Sequence, residues 1–143
     1  MKKIVCFSIG VALVMACLVF AGDKYTISGE VVYSKDADVY VCLFSQKTWP
    51  SWKRELPPIP FSQIVKPSPS GKAFFTFKEV PKGDYLIMAF ADENNNGKFD
   101  CDTMGFPLEP SSWHHKLKTG GHTNWYDQKF EVDKDVTGIE LTF

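Results

Sequence analysis

Short runs that alternate apolar and polar side chains recur along this chain, and no stretch of comparable length keeps the 3.6-residue period of an amphipathic helix. From Tyr25 to Tyr33 the alternation sets Ile27, Val31 and Tyr33 on one face and Thr26, Ser28 and Glu30 on the other, as in a half-buried strand. Val39–Phe44 is β-branched and aromatic on both faces, which suits a strand covered from both sides. Strand patterns return at Lys72–Phe77, Tyr85–Ala91, Gln128–Val132 and Ile139–Phe143, with a shorter one near residues 113–117. Six to seven short strands with frequent turn signals predict an all-β fold, an antiparallel sandwich of prealbumin or immunoglobulin-like type.

The turn Val80-Pro81-Lys82-Gly83-Asp84 predicts a hairpin-like pair of the strands on either side, and residues 133–138 read as a turn between the last two strands. Between residues 46 and 70 stand Pro50, Pro57, Pro58, Pro60, Pro67 and Pro69, a density that excludes a helix or a central strand. Trp49, Trp52, Ile59 and Phe61 punctuate this connection, which is expected to lie over the sandwich as a lid. The alternative is an aromatic binding surface.

Ahead of the β patterning, Lys2 and Lys3 precede an unbroken apolar stretch, Ile4–Phe20, that ends in Val19-Phe20-Ala21. This is the layout of a signal peptide over residues 1–21, its apolar core short of the roughly 20 residues of a comfortable membrane span. A periplasmic or secreted protein of residues 22–143 is expected. Val14-Met15-Ala16-Cys17 offers a rival, a lipoprotein signal acylated at Cys17, although Leu-Val-Phe-Ala after it is apolar where a polar tether would be usual. The remaining segment of about 122 residues is one domain by size. Removing Lys2 and Lys3 takes 16 basic residues to 14 against 17 acidic, a net charge near −3 with no basic patch, so nucleic acid is not an expected partner. Cys42 and Cys101 remain after cleavage and could form a disulfide in an oxidising compartment; a buried thiol at Cys42 is the alternative.

One motif could carry chemistry. After the apolar strand comes Asp92-Glu93-Asn94-Asn95-Asn96-Gly97-Lys98-Phe99-Asp100, with oxygen-bearing side chains at relative positions 1, 3, 5 and 9 and glycine at 6. This is the first part of a calcium loop: hard calcium takes six to eight oxygens, and the glycine permits the sharp turn. Asp92, Asn94, Asn96 and Asp100 would give side-chain oxygens and Lys98 its carbonyl. Position 12, a bidentate glutamate in a helical EF-hand, is Thr103 here, so Asp102 or Glu109 must close the site, with Glu109 the choice. Asn96-Gly97 is also a strong tight-turn dipeptide, which leaves a metal-free turn open.

Other chemistries find less support. His114, His115 and His122 would suit a zinc-dependent hydrolase only if they converged, and neighbouring residues of an extended strand point to opposite faces. There is no Gly-x-Ser-x-Gly elbow and no phosphate-cradling glycine loop, so no catalytic residue is assigned. Trp49, Trp52, Trp113 and Trp125, gathered at one end of the sandwich, would instead recognise a carbohydrate or peptide.

The run from Phe77 through Val80-Pro81-Lys82-Gly83-Asp84-Tyr85, then Ala89–Asp100, then Gly105-Phe106-Pro107-Leu108-Glu109, resembles the signature of the bacterial DUF2141 family. Its Gly-x-Tyr strand entry is similar to transthyretin-like and carboxypeptidase-regulatory-like sandwiches. The resemblance implies an exported β-sandwich acting as a structural or binding module. After Glu109 the chain departs from the Gly-Phe-Ser segment expected by that likeness and reads Pro110-Ser111-Ser112-Trp113-His114-His115.

Overall fold

The computed structural model describes residues 22–49, 59–115 and 124–143. The signal segment 1–21 with Cys17, and also Trp52 and His122, lie outside the described residues. In chain order the elements are β1 (Lys24–Val32), β2 (Asp38–Ser45), β3 (Phe61–Val65), β4 (Lys72–Pro81), β5 (Gly83–Asp92), β6 (Ser111–Trp113), the single helical turn α1 (Trp125–Gln128), β7 (Phe130–Val132) and β8 (Val136–Thr142). The fold is the expected all-β sandwich. One sheet has the order β4-β1-β8, and the other runs β3-β2-β5-β6, with β7 also paired to β5.

The period-two pattern decides which side chains meet between the sheets. Ile27, Val31, Phe75, Phe77, Ile139 and Leu141 from the first sheet pack with Val39, Val41, Leu43, Ile87, Ala89 and Ala91 from the second in one buried cluster. Each large apolar side chain removed from water in this way contributes roughly 1.5–3 kcal/mol. β1 lies between β4 and β8, with Gly29 opposite Ile139. A Cβ at Gly29 would stand 2.1 Å from the Ile139 carbonyl oxygen and 2.7 Å from the Phe75 ring. The missing side chain is what lets β8 come so close.

β2 and β5 are covered on both faces, which explains their nearly continuous apolar sequence. Cys42, Phe44, Leu86, Met88 and Phe90 turn away from the inter-sheet core and form a second cluster with Trp125; Tyr40, Trp49, Ile59, Phe99 and Trp113 pack against it. Of the residues expected to form a lid, Trp49 and Ile59 pack over the second sheet, Phe61 packs against the inter-sheet cluster, and Trp52 lies outside the described residues.

Three expectations need correction. The strands flanking Val80–Asp84 are not a hairpin: β4 pairs with β1 and β5 with β2, so the turn carries the chain from one sheet to the other. The reason is burial, since β5 has two apolar faces and is satisfied only at the centre of a sheet. The turn expected at 133–138 spans only residues 133–135 and likewise changes sheets, from β7 beside β5 to β8 beside β1, and β8 runs parallel to β1 while the other strand pairs among the described residues are antiparallel. Finally, β3 emerges within the segment read as irregular, bringing the strands among the described residues to eight; its prolines flank the strand, and its place at a sheet edge tolerates them.

Candidate functional site

The site begins where β5 ends. Asp92, the last residue of β5, is only 2% exposed. Its carboxylate accepts from the amides that follow in the loop: Oδ1 from Asn96 N–H (3.1 Å) and Oδ2 from Gly97 N–H (2.8 Å). Asn94 Oδ1 also accepts from Asn96 N–H (3.0 Å), and Asn96 Oδ1 from Lys98 N–H (2.8 Å). These side-chain-to-backbone bonds wind the chain around itself, and the left-handed residues Asn95 (φ 58°) and Gly97 (φ 72°) make the tight coil sterically accessible. Gly97 sits beside Tyr40, whose hydroxyl would be 3.5 Å from a Cβ placed there.

The coil faces Asp100. Asp100 Oδ2 accepts from the amide nitrogens of both Asn94 (2.6 Å) and Asn96 (2.7 Å), while its own N–H donates to Glu109 Oε2 (3.1 Å). Glu109 is returned to this place by a small hairpin: Leu108 N–H donates to the Asp100 carbonyl (2.8 Å), Cys101 bridges Pro107, and Asp102 N–H donates to the Phe106 carbonyl (2.9 Å). Asp102 Oδ1 accepts from Met104 and Phe106 N–H at 2.8 and 2.9 Å. Of the two carboxylates considered for closing the loop, Asp102 is therefore occupied in capping the turn and Glu109 reaches Asp100.

Glu109 is 7% exposed, and its Oε1 is buried with no hydrogen-bond partner. Burial holds this carboxyl above the ordinary glutamate range; the Asp100 amide and, more weakly, the Glu93 amide oppose that, and the nearby charges of Asp100 and Asp92 reinforce it. Asp92, Asn94, Asn96, Asp100 and Glu109 thus form one knot of oxygen-bearing side chains. Among the described residues no three His, Cys, Asp or Glu side chains, Asp92, Asp100 and Glu109 included, are grouped closely enough to hold a metal ion by themselves.

Glu93, between the first two loop oxygens, turns outward. It accepts from the Tyr33 hydroxyl and from Lys35 Nζ (2.7 Å), tying the start of the loop to the end of β1. These two donors hold its carboxyl below the usual range, whereas burial, followed by the Glu93 bond and charge, pushes the Tyr33 phenol up to about 12. This anchor was not foreseen, because Tyr33 reads simply as an inward strand residue.

The remaining candidates separate. Trp125 is 7% exposed, and half-buried Trp113 and Trp49 meet edge to face with ring centroids 5.7 Å apart, Trp49 also lying 5.5 Å from Phe44. All three side chains pack in or against the second apolar cluster. His114 and His115 follow β6 and have ring centroids 4.6 Å apart, nearer than an extended strand would leave them; His114 also packs on Phe130 and is pushed down by burial and then by His115. Cys42 and Cys101 are free thiols, not a disulfide: Cys42 is directed into the second apolar cluster, while Cys101 belongs to the small loop hairpin.

No curated protein and no solved structure matches the chain. The model of one family, described as an uncharacterised protein conserved in bacteria, matches residues 27–140. That span runs from β1 into β8 and takes in both sheets and the whole oxygen-rich knot. The chain belongs to the DUF2141 family.

Proposed function

We propose that this protein is an exported, non-catalytic binding or accessory module whose 92–109 loop takes calcium as a structural ion. The observation that carries the reading is the unpartnered, buried Oε1 of Glu109 beside Asp100 and Asp92. A buried carboxylate oxygen without a donor costs free energy, and two further carboxylates close by raise that cost. A metal-free turn has no need of it. A hard cation removes both penalties at once. Asp92, Asn94, Asn96, Asp100 and Glu109 would supply side-chain oxygens and Lys98 its carbonyl, an all-oxygen set of the kind calcium prefers. Asp100 Oδ2 accepts from the side-chain amides of Asn94 and Asn96, which would turn their oxygens toward the ion on binding.

Export gives the ion its opportunity. The positively charged start, the apolar run Ile4–Phe20 and the small residue Ala21 direct the domain out of the cytoplasm, to the periplasm or the medium, or to a membrane through Cys17. Calcium available there stabilises the fold by mass action. The bound partner on this reading is a protein or carbohydrate.

Isothermal calorimetry of the 22–143 domain, stripped with chelator and titrated with calcium chloride, tests the proposal. One binding event in the wild type that is lost in Asp92→Ala is expected. Heats of dilution alone, from a domain whose circular dichroism is that of folded β structure, would overturn it.

A further inference from the structure

The loop does more than terminate β5, because the segment that leaves it begins β6. Phe90 pairs with Ser111, Ala89 with Ser112 and Met88 with Trp113. The ladder extends one step toward the loop, Ala91 N–H donating to the Pro110 carbonyl at 3.0 Å, and one step the other way, His114 N–H donating to the Ile87 carbonyl at 3.2 Å. Continuing this antiparallel register past Ala91 and Pro110 brings Asp92 opposite Glu109. Like charges directly opposed on neighbouring strands are destabilising, and here both are buried. The ladder that holds β6 therefore ends in two carboxylates that repel each other.

β6 has little else to hold it. It is three residues long and, among the described residues, pairs along one side with β5 alone. Yet it carries Trp113, which meets Trp49 and helps to cover Phe44, Met88 and Phe90. A second connection runs through Phe99. This residue lies between Lys98 and Asp100 in the loop, and its ring is 5.0 Å from Phe90, which in turn stacks on Tyr40 at 4.8 Å. Both links run from the loop to the same aromatic layer.

We propose that calcium in the 92–109 loop closes the β5–β6 ladder from its charged end and so seats the aromatic layer over the second sheet. The inference rests on the calcium reading above and assigns that site a regulatory consequence. With the ion present, Asp92 and Glu109 share a cation, Pro110 is fixed and β6 docks. Without it, the ladder frays from Asp92 and Glu109 toward Trp113, loosening the contact with Trp49. The three-residue strand is the element with two arrangements, docked and frayed, and the ion binds the docked one.

Amide hydrogen exchange of the 22–143 domain, with calcium and after chelation, tests this beside calorimetry on the same sample. The Ala91, Ser112 and His114 amides, which bond across the β5–β6 ladder, should exchange about tenfold or more slowly with calcium, while the β1 and β4 amides change far less. In Glu109→Gln, which keeps the other oxygens, calcium should bind more weakly and no longer protect those three amides selectively. If calcium binds but protection stays within residues 92–100, the coupling is overturned and the metal site stands. If calorimetry detects no binding, the metal site falls and the coupling with it.

Discussion

On the proposed calcium reading, Glu109 opposes the fold without metal and supports it with metal. Its carboxyl titrates above the ordinary value of 4.5 in the folded state, mainly because it is buried. The native protein thus keeps this proton to higher pH than the unfolded chain does. Without metal, the Glu109 contribution makes the fold less stable as pH rises from the usual glutamate range through the raised value, and the deficit persists above it. Glu109→Gln should therefore raise the melting temperature of the chelated domain at pH 7 by a few degrees and lose that advantage near pH 4. In millimolar calcium the order should reverse, the variant melting below the wild type. Differential scanning calorimetry under the three conditions checks the signs; a variant less stable than wild type at pH 7 without metal would show that the buried charge is already compensated.

The two thiols differ in the same physical terms. Cys42 is 2% exposed, and desolvation pushes its thiol up to about 12, while Cys101 in the loop hairpin is raised by burial and by the charges of Asp102, Asp100 and Glu109 but is only partly covered. A thiolate-directed reagent at pH 8 should modify Cys101 of the native domain first and Cys42 only in denaturant. Mass spectrometry of the labelled peptides reads the order. Equal rates at the two positions would mean that the outer face of the second sheet is open.

Among the elements, β1 and β8 depend on a contact that only glycine permits. Gly29→Ala would put a methyl group against the Ile139 backbone, which cannot rotate aside as a side chain could, so the two strands must separate. A loss of about 1–3 kcal/mol or more is expected from urea unfolding, in the range of overpacked cores. A change within about 0.5 kcal/mol would place β8 differently. At this scale the sequence was informative about faces and much less so about partners. The alternation in 25–33 and the two-sided apolar runs at 39–44 and 85–91 located β1, β2 and β5, because period two follows from the pleat alone. Which strand lies beside which depends on closing the core. Pro81 and Gly83 mark a change of direction equally well for a hairpin and for a crossing between sheets. β3 was hidden because its five residues sit between Pro60 and Pro67, and α1 because one turn, capped by Asn124, is too short to show a period. The oxygen knot was legible through Asp100 because its residues are consecutive. Glu109 was selected for its chemistry, and only the hairpin of residues 100–108 shows how it returns.

The whole molecule is a two-layer sandwich with a third, partial layer of aromatic side chains on one outer face, and a loop that joins the core to that layer. Asp92 closes β5, Glu109 opens the approach to β6, and Phe99 packs over Phe90. A cation at this junction would therefore stabilise more than the loop. Thermal unfolding of the 22–143 domain measures this most directly, compared after exhaustive chelation and in millimolar calcium, with magnesium and Asp92→Ala as controls. The account predicts that calcium raises the wild-type midpoint by several degrees, that magnesium does so far less, and that Asp92→Ala does not respond. Coincident wild-type curves with and without calcium would contradict it.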